Sequence, residues 1–150
     1  METSGHAWDA IETLLTSEAL GVLSTEKKGR PYASLVAVAA SDDFKHLLFA
    51  TPRTTRKYGN LTANPWVALL VNNSRNLAQD IYGALSVTAL GTAETLEGSD
   101  REALLEIYLK RHPHLKSFAG APTNALVRVD VERYILVSRF QNVTEVEVVP

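Results

Sequence analysis

The sequence predicts a small antiparallel β-barrel flanked by a few helices, and three observations carry that prediction. About six or seven segments are apolar or alternate with the period of a strand, whereas only two long segments have helical spacing. Many of the strand-like segments are separated by turns of hairpin length, which join antiparallel neighbours and leave no room for crossover helices. The longest apolar runs, "SLVAVAA" and "WVALLV", are far too short to cross a membrane as helices and read as buried strands.

Taken in chain order, Ala7, Trp8, Ile11, Leu14 and Leu15 recur at helical spacing. An amphipathic helix is therefore expected up to about Leu20-Gly21. "GVLSTEKKGRPYASLVAVAA" reads as a hairpin whose turn lies between Lys27 and Arg30, with Gly29 supplying the positive φ such turns need. A second turn follows at "SDD", and "HLLFAT" makes the next strand. "TPRTTRKYGNLTANP", from Thr51 to Pro65, reads as a short helix that Thr54 or Thr55 can cap and Asn64-Pro65 can stop. "WVALLVNN" is a further strand, and "NNSRNLAQD" a polar loop. "ALSVTALGTAETLE" alternates through Leu85, Val87 and Ala89 and predicts a long strand with a bulge or bend at Gly91. Ser99 to Glu102 fits a capping box, so a helix carrying Ala103, Leu104, Ile107 and Tyr108 should start there and stop before Pro113. The tail holds Val127, Val129 and Val131, then "YILVS", then Val146 and Val148, which predicts two or three closing strands.

With 150 residues, 45% hydrophobic and 21% charged, the chain has the length and composition of one folded domain, 1–150. A formal net charge of −2 provides no global basic field for nucleic acid or an anionic membrane, so any cationic site must be local. Neither kind of partner is expected. The chain has no Cys, and its start lacks the pattern of a secretory leader, so a cytoplasmic protein is the expectation. No G-x-S-x-G, P-loop or G-x-G-x-x-G pattern occurs, which removes the usual support for hydrolase, nucleotidase and Rossmann readings. His112-Pro113-His114 is the most metal-like fragment, but two imidazoles are too few ligands. It reads better as an exposed helix end whose histidines suit the negative dipole, and no metal is expected. Asp42-Asp43 reads as turn residues rather than a carboxylate pair.

One cluster resists a bland reading. Arg53, Arg56 and Lys57 crowd the expected start of the short helix with no acid beside them in sequence, although that end already carries partial positive charge. Each such misplaced cation costs roughly 0.3–1 kcal/mol at low salt. Free backbone amides, the dipole and these cations together describe a phosphate pocket; a solvated basic turn is the alternative.

"GRPYASLVAVAA", "LLFATPRTTRKYGNLTANPWVALLV" and "ALSVTALGTAETL", in that order, resemble the core of the pyridoxamine 5′-phosphate oxidase-like flavin-binding family. The resemblance covers about Leu20 to Leu96 well and the C-terminal strands loosely. It implies a mainly β (α+β) fold: a six-stranded antiparallel split β-barrel of Greek-key type that pairs with a second copy, with FMN in the groove between the two subunits. Carried onto this chain, it implies that Arg56 and Lys57 hold the flavin phosphate, helped by Thr55 and Thr51. It sets Ser34, Leu35 and Val36 beneath the ring, Ala50 and Thr51 at its other side, and Ser86 near it.

The resemblance implies a small FMN-dependent oxidoreductase of unknown substrate and no named catalytic residue. A non-catalytic FMN carrier or redox-responsive protein is the alternative, as is a haem- or deazaflavin-binding member, for which His6, His46, His112 and His114 would be the available imidazoles. Full-length pyridoxamine phosphate oxidases carry strand cations where this chain has Ser34 and Ala39. They also have a C-terminal Trp and an Arg-rich, His-containing motif that "FQNVTEVEVVP" lacks. The expectation is therefore that cofactor binding carries over better than that particular reaction.

Overall fold

The computed structural model describes residues 4–139 and 141–150. Helix α1 (Ser4–Ser17) is followed by β1 (Leu20–Lys27), β2 (Arg30–Ala37), β3 (Ala39–Ala40), β4 (His46–Pro52) and α2 (Arg56–Ala63). Then come β5 (Trp66–Asn72), α3 (Asp80–Gly83), β6 (Ser86–Thr95), α4 (Gly98–Arg111), a 3-10 turn (Pro113–Leu115), α5 (Lys116–Gly120), β7 (Asn124–Ser138) and β8 (Asn142–Glu147).

Among the described residues every strand pairing is antiparallel, and the order runs β2, β1, β5, β6, β7, β4, β3, with β8 added along β7. Its two ends, β2 and β3, are separated only by Val38, so they form one bent strand and the sheet curls round on itself. Counted that way the curled sheet has six strands, the expected split-barrel architecture, mainly antiparallel β with a few helices. The β1–β2 hairpin turns through two residues, Lys28 at φ 53° and Gly29 at φ 78°, the pair of positive dihedrals a type I′ turn requires.

Alternation decides what is inside. Leu23, Phe49, Leu69, Val71, Val87, Ala89, Val127, Val129 and Leu136 fill the interior, and α1 closes one end with Ala7, Ile11, Leu14 and Leu15. A smaller cluster lies outside the curl, where Leu48 and Leu126 meet Tyr108 of α4 and Ala119 of α5. Where β6 meets β7 the register shifts after Leu90, so that Glu132 has no partner across the ladder. Gly91 sits at that bulge, and a Cβ there would lie 2.0 Å from the Asp130 carbonyl oxygen. Only glycine fits so close an approach.

The structure alters several expected boundaries. Helix α1 stops at Ser17, because Leu20 and Gly21 already pair with Ala37 and Val36. Helix α4 starts at Gly98 with Glu97 as N-cap and no side-chain capping bond, so Ser99 and Glu102 do not form the expected capping box. The tail makes two strands, since β7 runs unbroken for 15 residues. The loop after β5 contains α3, and a 3-10 turn and α5 follow α4; neither was expected.

His112 is not at an exposed helix end, as expected, but buried. It is 2% exposed, and its Nε2–H donates to the Val38 carbonyl at 2.7 Å. The Tyr108 hydroxyl donates to the Ala37 carbonyl at 2.9 Å. These side chains, from α4 and its C-cap, bond the two carbonyls at the β2–β3 bend. Burial is the main reason that the His112 pKa lies below its usual value, with Arg111 and His114 adding to it against the bond to Val38. It therefore favours the neutral ring.

Candidate functional site

The start of α2 assembles most of the expected cluster. Thr55 is the N-cap, with extended backbone, and its hydroxyl accepts from the Tyr58 amide at 3.3 Å. Thr51, 1% exposed at the end of β4, lies with its hydroxyl 2.7 Å from that of Thr55. Two hydroxyls are thus locked beneath the first turn, and Arg56 and Lys57 are its first two residues. No acid occupies that turn. Among the described residues neither cation lies within ion-pair distance of a carboxylate. The Arg56 guanidinium carbon sits 5.3 Å from the centroid of the Tyr32 ring on β2, which holds that side chain over the hairpin.

Arg53 stands apart from this pair. It precedes the helix, donates to the Tyr58 hydroxyl at 3.0 Å, and lies 3.9 Å from Glu97. The acid that sequence proximity does not show comes from the start of α4. Tyr58 is itself within 3.0 Å of the Thr95 hydroxyl, so Arg53 belongs to a structural network between α2, β6 and α4.

The remaining expected residues divide. Ser34 and Val36 share the inner face of β2 with Tyr32, whereas Leu35 points outward and is 62% exposed. Val36 is buried in the core. The buried hydroxyl of Ser34 has no hydrogen-bond partner within the described residues, which marks a place for a polar group. Ala50 packs under α4 and faces away from Thr51. Ser86 is not brought to the cluster: it pairs with Val137, and Thr51 pairs with Ala125, at opposite ends of β7. Measured along β7 at about 3.3 Å per residue, the two pairings lie roughly 40 Å of strand apart within one chain.

Two further groups join the site without having been expected. Lys27, Lys28 and Arg30 of the hairpin line a cavity of about 770 Å³ together with Arg56 and Tyr32. Asn60 of α2, buried against the barrel, also borders it, and its side chain donates to the Thr25 hydroxyl at 3.0 Å. In the sequence "KKGR" reads only as a turn, although like charges on both sides of a two-residue turn are a signal of their own.

Among the described residues the histidines form no group of metal-ligand kind. His46 Nδ1 lies 2.8 Å from Asp130 on the neighbouring strand, and Arg128 also engages that carboxylate, at 2.7 Å. Among the described residues no three His, Asp or Glu side chains come together as a metal site, and no helix is long and apolar enough to cross a membrane.

Comparison with known proteins follows the same lines. The chain superposes on the haem-binding protein from Mycobacterium smegmatis with a TM-score of 0.80 at 19% identity, covering 90% of this chain and 55% of that one. It superposes on General Stress Protein 26 from Bacillus anthracis with a TM-score of 0.73 at 19% identity, covering 95% and 99%. A FAD-binding protein from Mesorhizobium loti gives a TM-score of 0.68 at 23% identity, covering 87% and 90%. Identities this low establish a shared fold alone. No curated protein matches at a significant level. The family description "Pyridoxamine 5′-phosphate oxidase" matches residues 7–138, which include the whole barrel and the α2 cluster, and the chain belongs to that family.

Proposed function

We propose that this protein binds FMN through its phosphate at the start of α2 and acts as a small flavin-dependent oxidoreductase. The observation that carries this reading is the Arg56-Lys57 pair. Two cations open a helix whose dipole they oppose, beside a Thr55 cap and a buried Thr51 hydroxyl, with no carboxylate of the described residues in ion-pair reach. That arrangement is unfavourable until an anion arrives, and a phosphate dianion accepts both charge-assisted bonds and bonds from free amides of the first turn. The orphaned Ser34 hydroxyl, two residues along the same face of β2 from Tyr32, fits a ring lying over that strand. A bound flavin supplies the electron transfer, while the chain holds it, orients it and limits water around it. The FAD-binding relative supports a flavin over other phosphate esters.

The functional unit in this proposal is a homodimer. Leu20, Leu35 and Trp66, each more than half exposed, lie on the outer face of the β2, β1 and β5 sheet, and a second copy would cover them. A cytoplasmic setting and an unidentified small-molecule substrate complete the reading.

Haem is the second reading, favoured by the Mycobacterium smegmatis relative. Against it, His112 is committed to Val38 and His46 to Asp130. The absorption spectrum of the purified protein, followed by titration with FMN, riboflavin and haemin, decides between them. Flavin bands and tighter binding of FMN than riboflavin are expected; a Soret band with no flavin affinity would overturn the proposal. Light scattering of a flavin-loaded monomer at micromolar concentration would overturn the shared groove, and a flavin that no nicotinamide donor reduces would favour a non-catalytic carrier.

A further inference from the structure

Three cations at the tip of the β1–β2 hairpin break local rules in one direction. Lys27 and Arg30 stand directly opposite each other in the ladder, and like charges so placed weaken a hairpin. Lys28 holds φ at 53°, where Asn or Gly is the favoured residue. Among the described residues none of the three lies within ion-pair distance of a carboxylate. The adjoining acid, Glu26, is engaged instead by the Gly29 amide and the Asn64 side chain. A hairpin shaped for stability alone would carry Asn at position 28 and a neutral or acidic residue across from Lys27.

These cations face Arg56 across the cavity of about 770 Å³. Positive charge from two separate elements therefore converges on one groove in a chain whose net charge is −2. One phosphate does not account for it: a phosphate monoester carries about −1.5 to −2 charges near neutral pH, which Arg56 and Lys57 already balance. The groove has the volume of a nucleotide-sized site, and Tyr32, 36% exposed on its wall with the Arg56 guanidinium over its ring, gives a base an aromatic and cationic wall to lie against. The basic residues form a short cluster rather than a long stripe, which suits a compact anion better than a nucleic acid strand.

We propose that this groove binds the adenosine diphosphate portion of a dinucleotide. That portion is either the outer half of flavin adenine dinucleotide or the matching half of a nicotinamide co-substrate. The proposal builds on the flavin reading above for the Arg56-Lys57 end; the hairpin end stands on its own charge and geometry.

The test titrates FMN, FAD, NADPH and ADP into wild-type protein and the variant Lys27→Thr/Lys28→Asn/Arg30→Thr. Lys28→Asn alone serves as a fold control, because Asn suits the positive φ and should raise the apo melting temperature while weakening ADP binding. If the dinucleotide is the flavin, FAD binds more tightly than FMN by roughly ten- to a hundredfold, the range expected of one charge-assisted phosphate bond. The triple variant then removes that margin, weakening FAD far more than FMN. If it is the co-substrate, FMN-loaded protein binds NADPH and ADP, and the triple variant loses both. Should FMN fail to bind while ADP still binds in a hairpin-dependent way, the flavin reading falls and the groove stands. FAD no tighter than FMN, with no ADP or NADPH binding to the FMN-loaded wild type, overturns the proposal. So does a short single-stranded oligonucleotide that outcompetes ADP.

Discussion

Two helices meet the bent β2–β3 strand, and they do so in opposite ways. Helix α4 arrives at the bend with Tyr108 and, as its C-cap, His112, and each donates to a carbonyl there. Helix α2 arrives at the other end with Arg56 and Lys57, which meet no carboxylate among the described residues. At the first junction buried polar groups are matched one to one, the pattern of a structural lock. At the second, like charges are gathered against a dipole of the same sign, a local conflict that proteins sustain where something else must bind. The difference separates scaffold from site more clearly than residue type does, since histidine sits in the lock and arginine in the conflict.

Breaking the lock should have the largest effect. Tyr108, 1% exposed, anchors the outer cluster, so Tyr108→Ala removes its ring and its bond to Ala37 together. Truncating a buried aromatic costs about 3–5 kcal/mol, and chemical denaturation should show at least that loss. Tyr108→Phe isolates the hydroxyl and should cost about 1–3 kcal/mol, the range for stranding a buried hydrogen-bonding group. FMN affinity measured under folding conditions should be unchanged in the Phe variant if the two junctions are independent.

His112 gives the lock a pH dependence whose sign can be worked out. Its pKa is lowered in the folded protein, chiefly by burial, so below its ordinary value of 6.5 the unfolded chain binds more protons than the folded one. This contribution is therefore fully present above pH 6.5 and shrinks as the pH falls below that value. His112→Gln, which can still donate to Val38, should lose less stability at neutral pH than His112→Leu, and both should flatten the acid limb of the stability profile. An unchanged acid limb in both variants would show that His112 does not titrate on unfolding.

Effects at the α2 junction should be smaller on the fold and visible in the ligand. Arg56→Ala and Lys57→Ala should each weaken FMN binding by roughly ten- to a hundredfold, from the worth of a charge-assisted bond to phosphate. Riboflavin affinity should change little, so the preference for FMN should narrow. Thr55→Ala removes the cap that receives the Tyr58 amide and should cost about 1 kcal/mol of apo stability by thermal or chemical unfolding. If FMN affinity were equal in wild type and both cation variants, the cluster would be a solvated basic turn.

The barrel was legible because alternation, a Lys-Gly turn and a bulge glycine are local signals that tertiary contacts reinforce. The short helices after β5 and α4 were not, because nothing in their own periodicity calls for them. Helix α5 is held from elsewhere: Arg101 donates to the Ala119 carbonyl at 2.9 Å and Asn124 to that of Phe118 at 2.9 Å. The misread capping box has a similar cause, since the chain enters α4 one residue before Ser99. At the site, Thr55, Arg56 and Lys57 were readable as a conflict between charge and dipole. The bond that buries His112 spans 74 residues of sequence, beyond any local pattern. The acid near Arg53 was hidden for the same reason, since Glu97 is a neighbour only in the fold.

The smallest predicted effect tests the conflict itself rather than ligand binding. Lys57 sits in the first turn of α2 with no acid in that turn, and relieving a cation at that end should gain roughly 0.3–1 kcal/mol at low salt. For a domain of this length that is about 1–4 °C in the melting temperature of the apo protein. Arg56 should behave differently, although it stands one residue away. Its guanidinium lies over the Tyr32 ring, and a contact of that kind contributes about 0.5–1 kcal/mol, which offsets the relief of the dipole. Lys57→Ala should therefore raise the apo melting temperature while Arg56→Ala leaves it nearly unchanged, and added salt should shrink the Lys57 gain. With FMN present the order should reverse, because both variants lose ligand-linked stabilisation that the wild type keeps. A Lys57→Ala protein that melts lower than wild type without ligand would mean that the cation has a structural partner and that this end of the barrel is built like the other.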